Sequence, residues 1–149
     1  MQLTNRRVHL MGTVIDVSIY HKQPEPLLDQ VEALLNLYNK RFSANDDSSE
    51  LMKINKAAGL HPVKIHPELF ELISLGKWHS CQPGSHLNIA IGPLIQTWRI
   101  GFSDARLPFP EEITLLLDII NPNAIVLSEE NQSVFLQEKG MKIDLGALA

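Results

Sequence analysis

Cysteine is nearly absent from this sequence, and the one cysteine present, Cys81, limits the kinds of site that the chain can build. A single thiol excludes an intramolecular disulfide framework and a cysteine-rich zinc site. Long apolar runs are missing as well: no stretch of about 18 apolar residues occurs, so we expect no membrane-spanning segment. The basic pair Arg6-Arg7 is not followed by an apolar segment. We therefore expect no secretory signal, and a cytoplasmic location for the chain as written.

Familiar nucleotide-binding and metal-binding motifs are also missing. The chain has no Gly-Lys-Ser/Thr phosphate loop, no Gly-x-Gly-x-x-Gly, no His-Glu-x-x-His and no Cys-x-x-Cys. The net charge is -4, with both signs mixed along the chain, which gives no reason to expect a nucleic acid as partner. Asp46, Asp47 and Glu50 form a small acidic cluster, for which we favour solvated acids at a helix start over a cation site.

Apolar residues recur with both helical and strand periods, and the sequence therefore predicts a single α+β domain. Mixed or antiparallel strands packed with helices are expected. Ser48 or Ser49 is predicted to cap the second helix, and Pro67 to occupy a first helical position. The predicted helices cover 27–42, 50–58, a segment that begins at 66–68 and 111–120; the predicted strands cover 14–20, 63–65, and a C-terminal β-meander over 124–127, 133–136 and 142–144.

The segment 84–102 is apolar, yet glycines interrupt it and polar side chains lie within it. Polar groups in such a run are either paired inside the protein or offered to a ligand, and on these residues alone both alternatives stay open. Arg99 beside Trp98 could stack on a planar ligand. We favour packing roles for Trp98 and Phe102.

Four segments resemble the ApbE family, the FAD:protein FMN transferases once called thiamine-biosynthesis lipoproteins. The first is Met11-Gly-Thr-x-x-x-Val17, and the second is Phe42-Ser-Ala-Asn-Asp-Asp-Ser-Ser-Glu-Leu-x-x-Ile-Asn55. The third is the segment 84–102, which is similar to the family's Gly-x-Phe-Asp-x-x-x-Gly-Pro-Leu followed by a Trp and a Gly-Phe. The fourth is Ile143-Asp-Leu-Gly-Ala-Leu-Ala149. The resemblance implies an ApbE-like, T-fold-related architecture.

This resemblance implies a specific reaction. Family members bind FAD and a divalent cation, usually Mg²⁺, and transfer FMN to a Thr or Ser hydroxyl of a target flavoprotein with release of AMP. The alternatives are an FAD pyrophosphatase and a flavin-binding fragment without turnover. Because members are about twice as long, residues 1–149 are expected to be the N-terminal portion of one domain, inactive alone and without its C-terminal half. A frayed chain end is the alternative for 144–149. Many members are exported or membrane-anchored lipoproteins.

Site residues follow from the resemblance, position by position. Asn45 lies where many members place a flavin-stacking or gating Tyr, and Asn88 replaces the family's usual Asp, so both are departures. The catalytic residues are expected beyond Ala149, and a face exposed by the missing half could pair with a second copy as a homodimer. The residues expected to contact FAD are Met11, Asn45, His86, Leu87, Asn88 and Asp144, and the backbone carbonyl of Ala147 is expected to bind the metal.

Overall fold

The chain begins with a long β-hairpin in this computed structural model, which describes residues 1–148. Strand β1 (Gln2–Leu10) pairs antiparallel with β2 (Thr13–His21), and Leu10 lies opposite Thr13. The two residues between the strands, Met11 and Gly12, have φ of 54° and 73°. Positive φ at both central residues is the geometry of the type I′ hairpin turn. The sequence predicted β2 but not β1.

Helix α1 (Glu25–Phe42) covers one face of this hairpin. Val8 of the hairpin and Leu28 of the helix are both buried, and burial of apolar side chains on the two elements stabilises their packing. Arg6 also contacts the helix, because its guanidinium forms ion pairs with Asp29 at 2.6 Å and Glu25 at 2.7 Å. Helix α1 confirms the helix predicted for 27–42.

The main core lies between two helices and a small antiparallel sheet. Helix α2 runs from Glu50 to Lys56, strand β3 covers Val63–Lys64, and helix α3 runs from Pro67 to Ser80. Short helices α4 (Gly92–Trp98) and α5 (Pro110–Leu117) follow, then strands β4 (Ile125–Ser128) and β5 (Ser133–Leu136). The sheet order is β3-β5-β4. Fully buried core side chains include Leu51, Ile54, Leu69, Ile73, Ile125, Val134, Leu136, Met141 and Ile143.

Local capping signals are confirmed where they were predicted. Ser49 caps α2, because its hydroxyl accepts a hydrogen bond from Met52 N–H at 3.0 Å. His66 caps α3 through its ring nitrogen, and Pro67 is the first residue of that helix. No helix within residues 1–148 combines the length and the hydropathy that a bilayer crossing needs.

The α+β class is confirmed, but the third strand predicted for the C-terminal meander is wrong. Residues 142–144 do not add to the sheet; Lys142 makes a single parallel bridge with Ile91. The backbone of this segment bonds elsewhere: Ile143 pairs with a side chain of α2, and Asp144 N–H donates to the carbonyl of Ile89 at 2.9 Å. The predicted helix over 111–120 also ends earlier, at Leu117.

Candidate functional site

Three adjacent cavities meet at Asn45, and we call them together the Asn45 trough. The first, of about 570 Å³, lies between the hairpin turn and the loop 43–47. The second, of about 450 Å³, lies between that loop and the segment 144–148, and Met11 lines both the first and the second cavity. The third, of about 30 Å³, lies against helix α4 and the residues after it. Asn45 lines all three cavities, and Asp144 lines the second and third.

Met11 is fixed at the hairpin turn by a contact from helix α1. Its N–H donates to Asn39 Oδ1 at 3.1 Å, and Asn39 Nδ2 donates to Asp46 Oδ2 at 2.9 Å. The amide of Asn39 therefore joins the hairpin turn to the loop on the other side of the first cavity. Gly12 lets the two approach closely, since a Cβ there would lie 3.0 Å from Asn45 Nδ2.

The loop that carries Asn45 is held by two buried serines. Ser49 is fully buried, and its hydroxyl donates to the Ser43 carbonyl at 2.6 Å. Ser43 Oγ in turn accepts a hydrogen bond from Asn45 N–H at 3.1 Å. The cap of α2 and the position of Asn45 are thus parts of one hydrogen-bonded unit.

Neighbouring hydrogen-bond donors stabilise the ionised form of Asp46. Hydrogen bonds from the Ser48 hydroxyl and N–H, followed by that from Lys40, lower the pKa of Asp46 to about 2. Its two carboxylate oxygens accept from Asn39, Lys40 and Ser48. The carboxylate therefore stays ionised at neutral pH and stabilises the loop.

The second cavity combines a carboxylate with an apolar wall. Asp144 is half-buried, and its Oδ1 accepts a hydrogen bond from Gly146 N–H at 2.8 Å. Ala147 lies nearby in a short 3-10 helix over Gly146–Leu148 and is exposed. The apolar part of the wall is formed by Phe42, Ala44, Leu72, Leu145 and Leu148.

The predicted residues 86–88 lie outside the three cavities. His86 is exposed, and Leu87 packs against the main core. Asn88 is paired internally: its Nδ2 donates to the Ile120 carbonyl at 2.7 Å, and its Oδ1 accepts from Ala90 N–H at 2.8 Å. The structure thus brings together Met11, Asn45 and Asp144 but not residues 86–88. Contact of residues 86–88 with FAD stays a prediction.

The rest of the apolar segment 84–102 forms helix α4 and one end of the trough. Trp98 is half-buried, and Phe102, which is 40% exposed, packs against Arg99. Helix α4 and the small cavity beside it depend on contacts between distant segments. Sequence patterns therefore missed Asn39, Leu72 and the position of Arg99 in the trough wall.

Comparison with known proteins connects this arrangement to one family. The family model described as "ApbE family" matches residues 11–149. An FAD:protein FMN transferase of Klebsiella pneumoniae (strain 342) is 40% identical over 140 residues, a match that covers 94% of this chain and 44% of that protein. The FAD:protein FMN transferase of Treponema pallidum (strain Nichols) is 31% identical over 149 residues, covering 94% and 41% respectively. The chain thus spans less than half the length of these curated relatives.

Solved structures show the same fold. The crystal structure of the ApbE protein from Thermotoga maritima matches with a TM-score of 0.84 and 22% identity, over 97% of this chain and 48% of that one. The apo flavinyl transferase ApbE of Pseudomonas stutzeri matches with a TM-score of 0.78 and 18% identity, over 99% and 48%. The family match and the sequence relatives together show that this chain belongs to the ApbE family.

Proposed function

We propose that this chain provides the flavin-binding part of an FAD:protein FMN transferase. The observation that carries the proposal is the meeting of Met11, Asn45 and Asp144 in one trough, although they come from three distant segments. The names of the relatives, FAD:protein FMN transferases, support the choice of FAD as substrate.

The second cavity suits a flavin ring. Its lining combines several apolar side chains with a few polar groups, which is the usual composition of a small-molecule site. In our proposal the ring lies along Met11, which the type I′ turn and Asn39 hold in place. Asn45 offers an amide rather than an aromatic face, so it would orient the ring by hydrogen bonding.

The donor set near Asp144 fits Mg²⁺, which prefers oxygen ligands and keeps several waters. The Ala147 carbonyl and the Asp144 oxygen that does not accept from Gly146 would hold it. When bound, Mg²⁺ would neutralise charge on the pyrophosphate and favour departure of AMP.

The transfer itself exchanges one phosphorus–oxygen bond for another. The hydroxyl oxygen of a Thr or Ser on the target flavoprotein attacks the FMN phosphorus and forms a P–O bond. The bond between the FMN phosphorus and the oxygen that bridges the two phosphates breaks, and AMP leaves with that oxygen and the electron pair. The hydroxyl proton passes to water or a base. In this proposal the residues of the trough bind and orient FAD for in-line attack.

Mass spectrometry tests the reaction. Because the chain spans less than half the length of its curated relatives, it is joined to the remaining part of the Klebsiella pneumoniae relative and incubated with FAD, Mg²⁺ and a target flavoprotein carrying the acceptor hydroxyl. We expect a covalent FMN adduct on the target together with AMP. Free FMN plus AMP would instead indicate the pyrophosphatase, and bound FAD without AMP would indicate flavin binding without turnover. Asp144→Ala should abolish the adduct, whereas Asp118→Ala, at an exposed position outside the trough, should not.

A further inference from the structure

The third cavity supplies a positive charge to the trough. It is lined by Arg99 and Phe102 together with Asn45 and Asp144, which also line the second cavity. Among the residues that line the three cavities, Arg99 is the only Lys or Arg. A dinucleotide that fills the second cavity would therefore meet a permanently charged lining residue only where it reaches the third cavity.

The guanidinium of Arg99 is held from one edge. Its Nε donates to Asp104 Oδ1 at 2.8 Å, and its central carbon lies 4.7 Å from the centroid of the Phe102 ring. Within residues 1–148, neither of its two terminal nitrogens makes a hydrogen bond, and the side chain is 43% exposed. Asp104 and Phe102 thus orient the group while its outer fork stays available to a ligand.

The backbone at this position is unusual for an arginine. Arg99 ends helix α4 in the left-handed conformation, with φ 49° and ψ 40°, and its N–H donates to the Ile95 carbonyl at 2.9 Å. Helix ends of this kind normally carry Gly, because a side chain strains the left-handed backbone. A left-handed arginine beside a cavity is the kind of backbone strain that is found at functional sites.

We propose that Arg99 binds a phosphate oxygen of the FAD pyrophosphate with its free terminal nitrogens, an inference that rests on the proposed function. The planar fork of a guanidinium matches the geometry of phosphate oxygens. Specificity for a phosphorylated flavin over riboflavin therefore arises at Arg99.

The test compares ligands with and without phosphate on matched variants. Binding of FAD, FMN, riboflavin and inorganic pyrophosphate is measured for the wild-type chain, Arg99→Gln and Arg99→Lys. We expect Arg99→Gln to weaken binding of FAD and pyrophosphate about tenfold or more, and to leave riboflavin unchanged. Arg99→Lys should restore part of the loss. The matched control is Arg106→Gln, because both terminal nitrogens of Arg106 already bind Glu112, at 2.8 and 2.7 Å, outside the trough.

The outcomes separate this inference from the proposed function. If Arg99→Gln binds FAD and pyrophosphate as tightly as wild type does, the role of Arg99 is overturned while flavin binding stands. An equal loss for FAD and riboflavin would also overturn it, since that pattern indicates a structural effect. If the wild-type chain binds no flavin but binds pyrophosphate through Arg99, the inferred phosphate site stands and the proposed function fails. Binding of neither ligand class by wild type overturns both.

Discussion

Asn55 and Ile143, which are 88 residues apart in the sequence, exchange two hydrogen bonds in the interior. The Ile143 N–H donates to Asn55 Oδ1 at 2.8 Å, and Asn55 Nδ2 donates to the Ile143 carbonyl at 3.0 Å. The Asn55 side chain therefore takes the place of a neighbouring strand at Ile143, while Lys142 and Asp144 on either side bond to the backbone of residues 89–92. Because Asp144 follows directly, Asn55 also determines where that carboxylate enters the trough.

Replacement of Asn55 should be costly. Asn55→Ala leaves a buried N–H and a buried carbonyl without partners, and we expect the free energy of unfolding to fall by about 3 kcal/mol. Urea denaturation measures the change. Asn36→Ala is the control, because its exposed side chain bonds only the Glu32 carbonyl of its own helix, and a loss within about 0.5 kcal/mol is expected. A loss below about 1 kcal/mol for Asn55→Ala would contradict this role.

Acid should weaken the loop through Asp46. The pKa of Asp46 in the folded protein is about 2, below that of an unfolded Asp, so the unfolded state binds more protons between the two values. The stabilisation is therefore complete above about pH 4 and is lost as the pH falls towards 2. We expect the stability difference between wild type and Asp46→Asn to shrink over that range in urea titrations.

Ser48 provides a second measurement of the same group. The hydrogen bonds of Ser48 are the largest cause of the lowered pKa, so Ser48→Ala should raise the pKa of Asp46. An NMR titration of the carboxyl group reports this directly. Ser74→Ala, which loses only a hydroxyl bonded to the Phe70 carbonyl, is the matched control. An unchanged pKa in Ser48→Ala would refute the assignment of cause.

An aromatic ring at position 45 should strengthen flavin binding. Asn45 borders all three cavities, and Asn45→Tyr would place a stacking surface where the relatives of this family are expected to have one. Stacking contributes about 1 kcal/mol, so FAD affinity should rise about fivefold in a fluorescence titration. Asn45→Ala separates gain of the ring from loss of the amide. Equal affinities of the two variants would show that no flavin stacks there.

Magnesium should bind this chain only weakly. The second cavity offers one carboxylate, Asp144, with the Ala147 carbonyl nearby in the chain, and residues 1–148 contain no group of three His, Cys, Asp or Glu side chains arranged to hold a metal. Mg²⁺ gives up its waters reluctantly and needs more charge than this for tight binding. Calorimetric titration should therefore show no micromolar site. Micromolar binding to the 149-residue chain would overturn this expectation.

Elements that local patterns determine could be predicted from the sequence. The Ser49 cap, Pro67 at a helix start and the apolar spacing of α1 each act within a few residues. Strand β1 was missed because two of its half-buried positions are Thr4 and Arg6, which interrupt the apolar alternation. The false third strand of the meander has a different cause: its partner is a side chain 88 residues away, a contact that no local pattern shows.

The residues of the candidate site also differ in whether the sequence could predict them. Family resemblance predicted Met11, Asn45 and Asp144, and the fold places all three in the trough. Asn39 was missed because a polar residue on a helix carries no sign that its amide will bridge two loops. The position of Arg99 follows from the end of helix α4, which the sequence did not predict.

Binding of FAD in the Asn45 trough can be followed residue by residue in amide NMR spectra of the isotope-labelled chain during titration with FAD. We expect saturable shifts for the amides of Met11, Asn45 and Asp144, and none for the turn 129–132, which lies outside the trough. Absence of shifts at these three residues, or saturable shifts confined to other surfaces, would show that FAD does not bind in the trough.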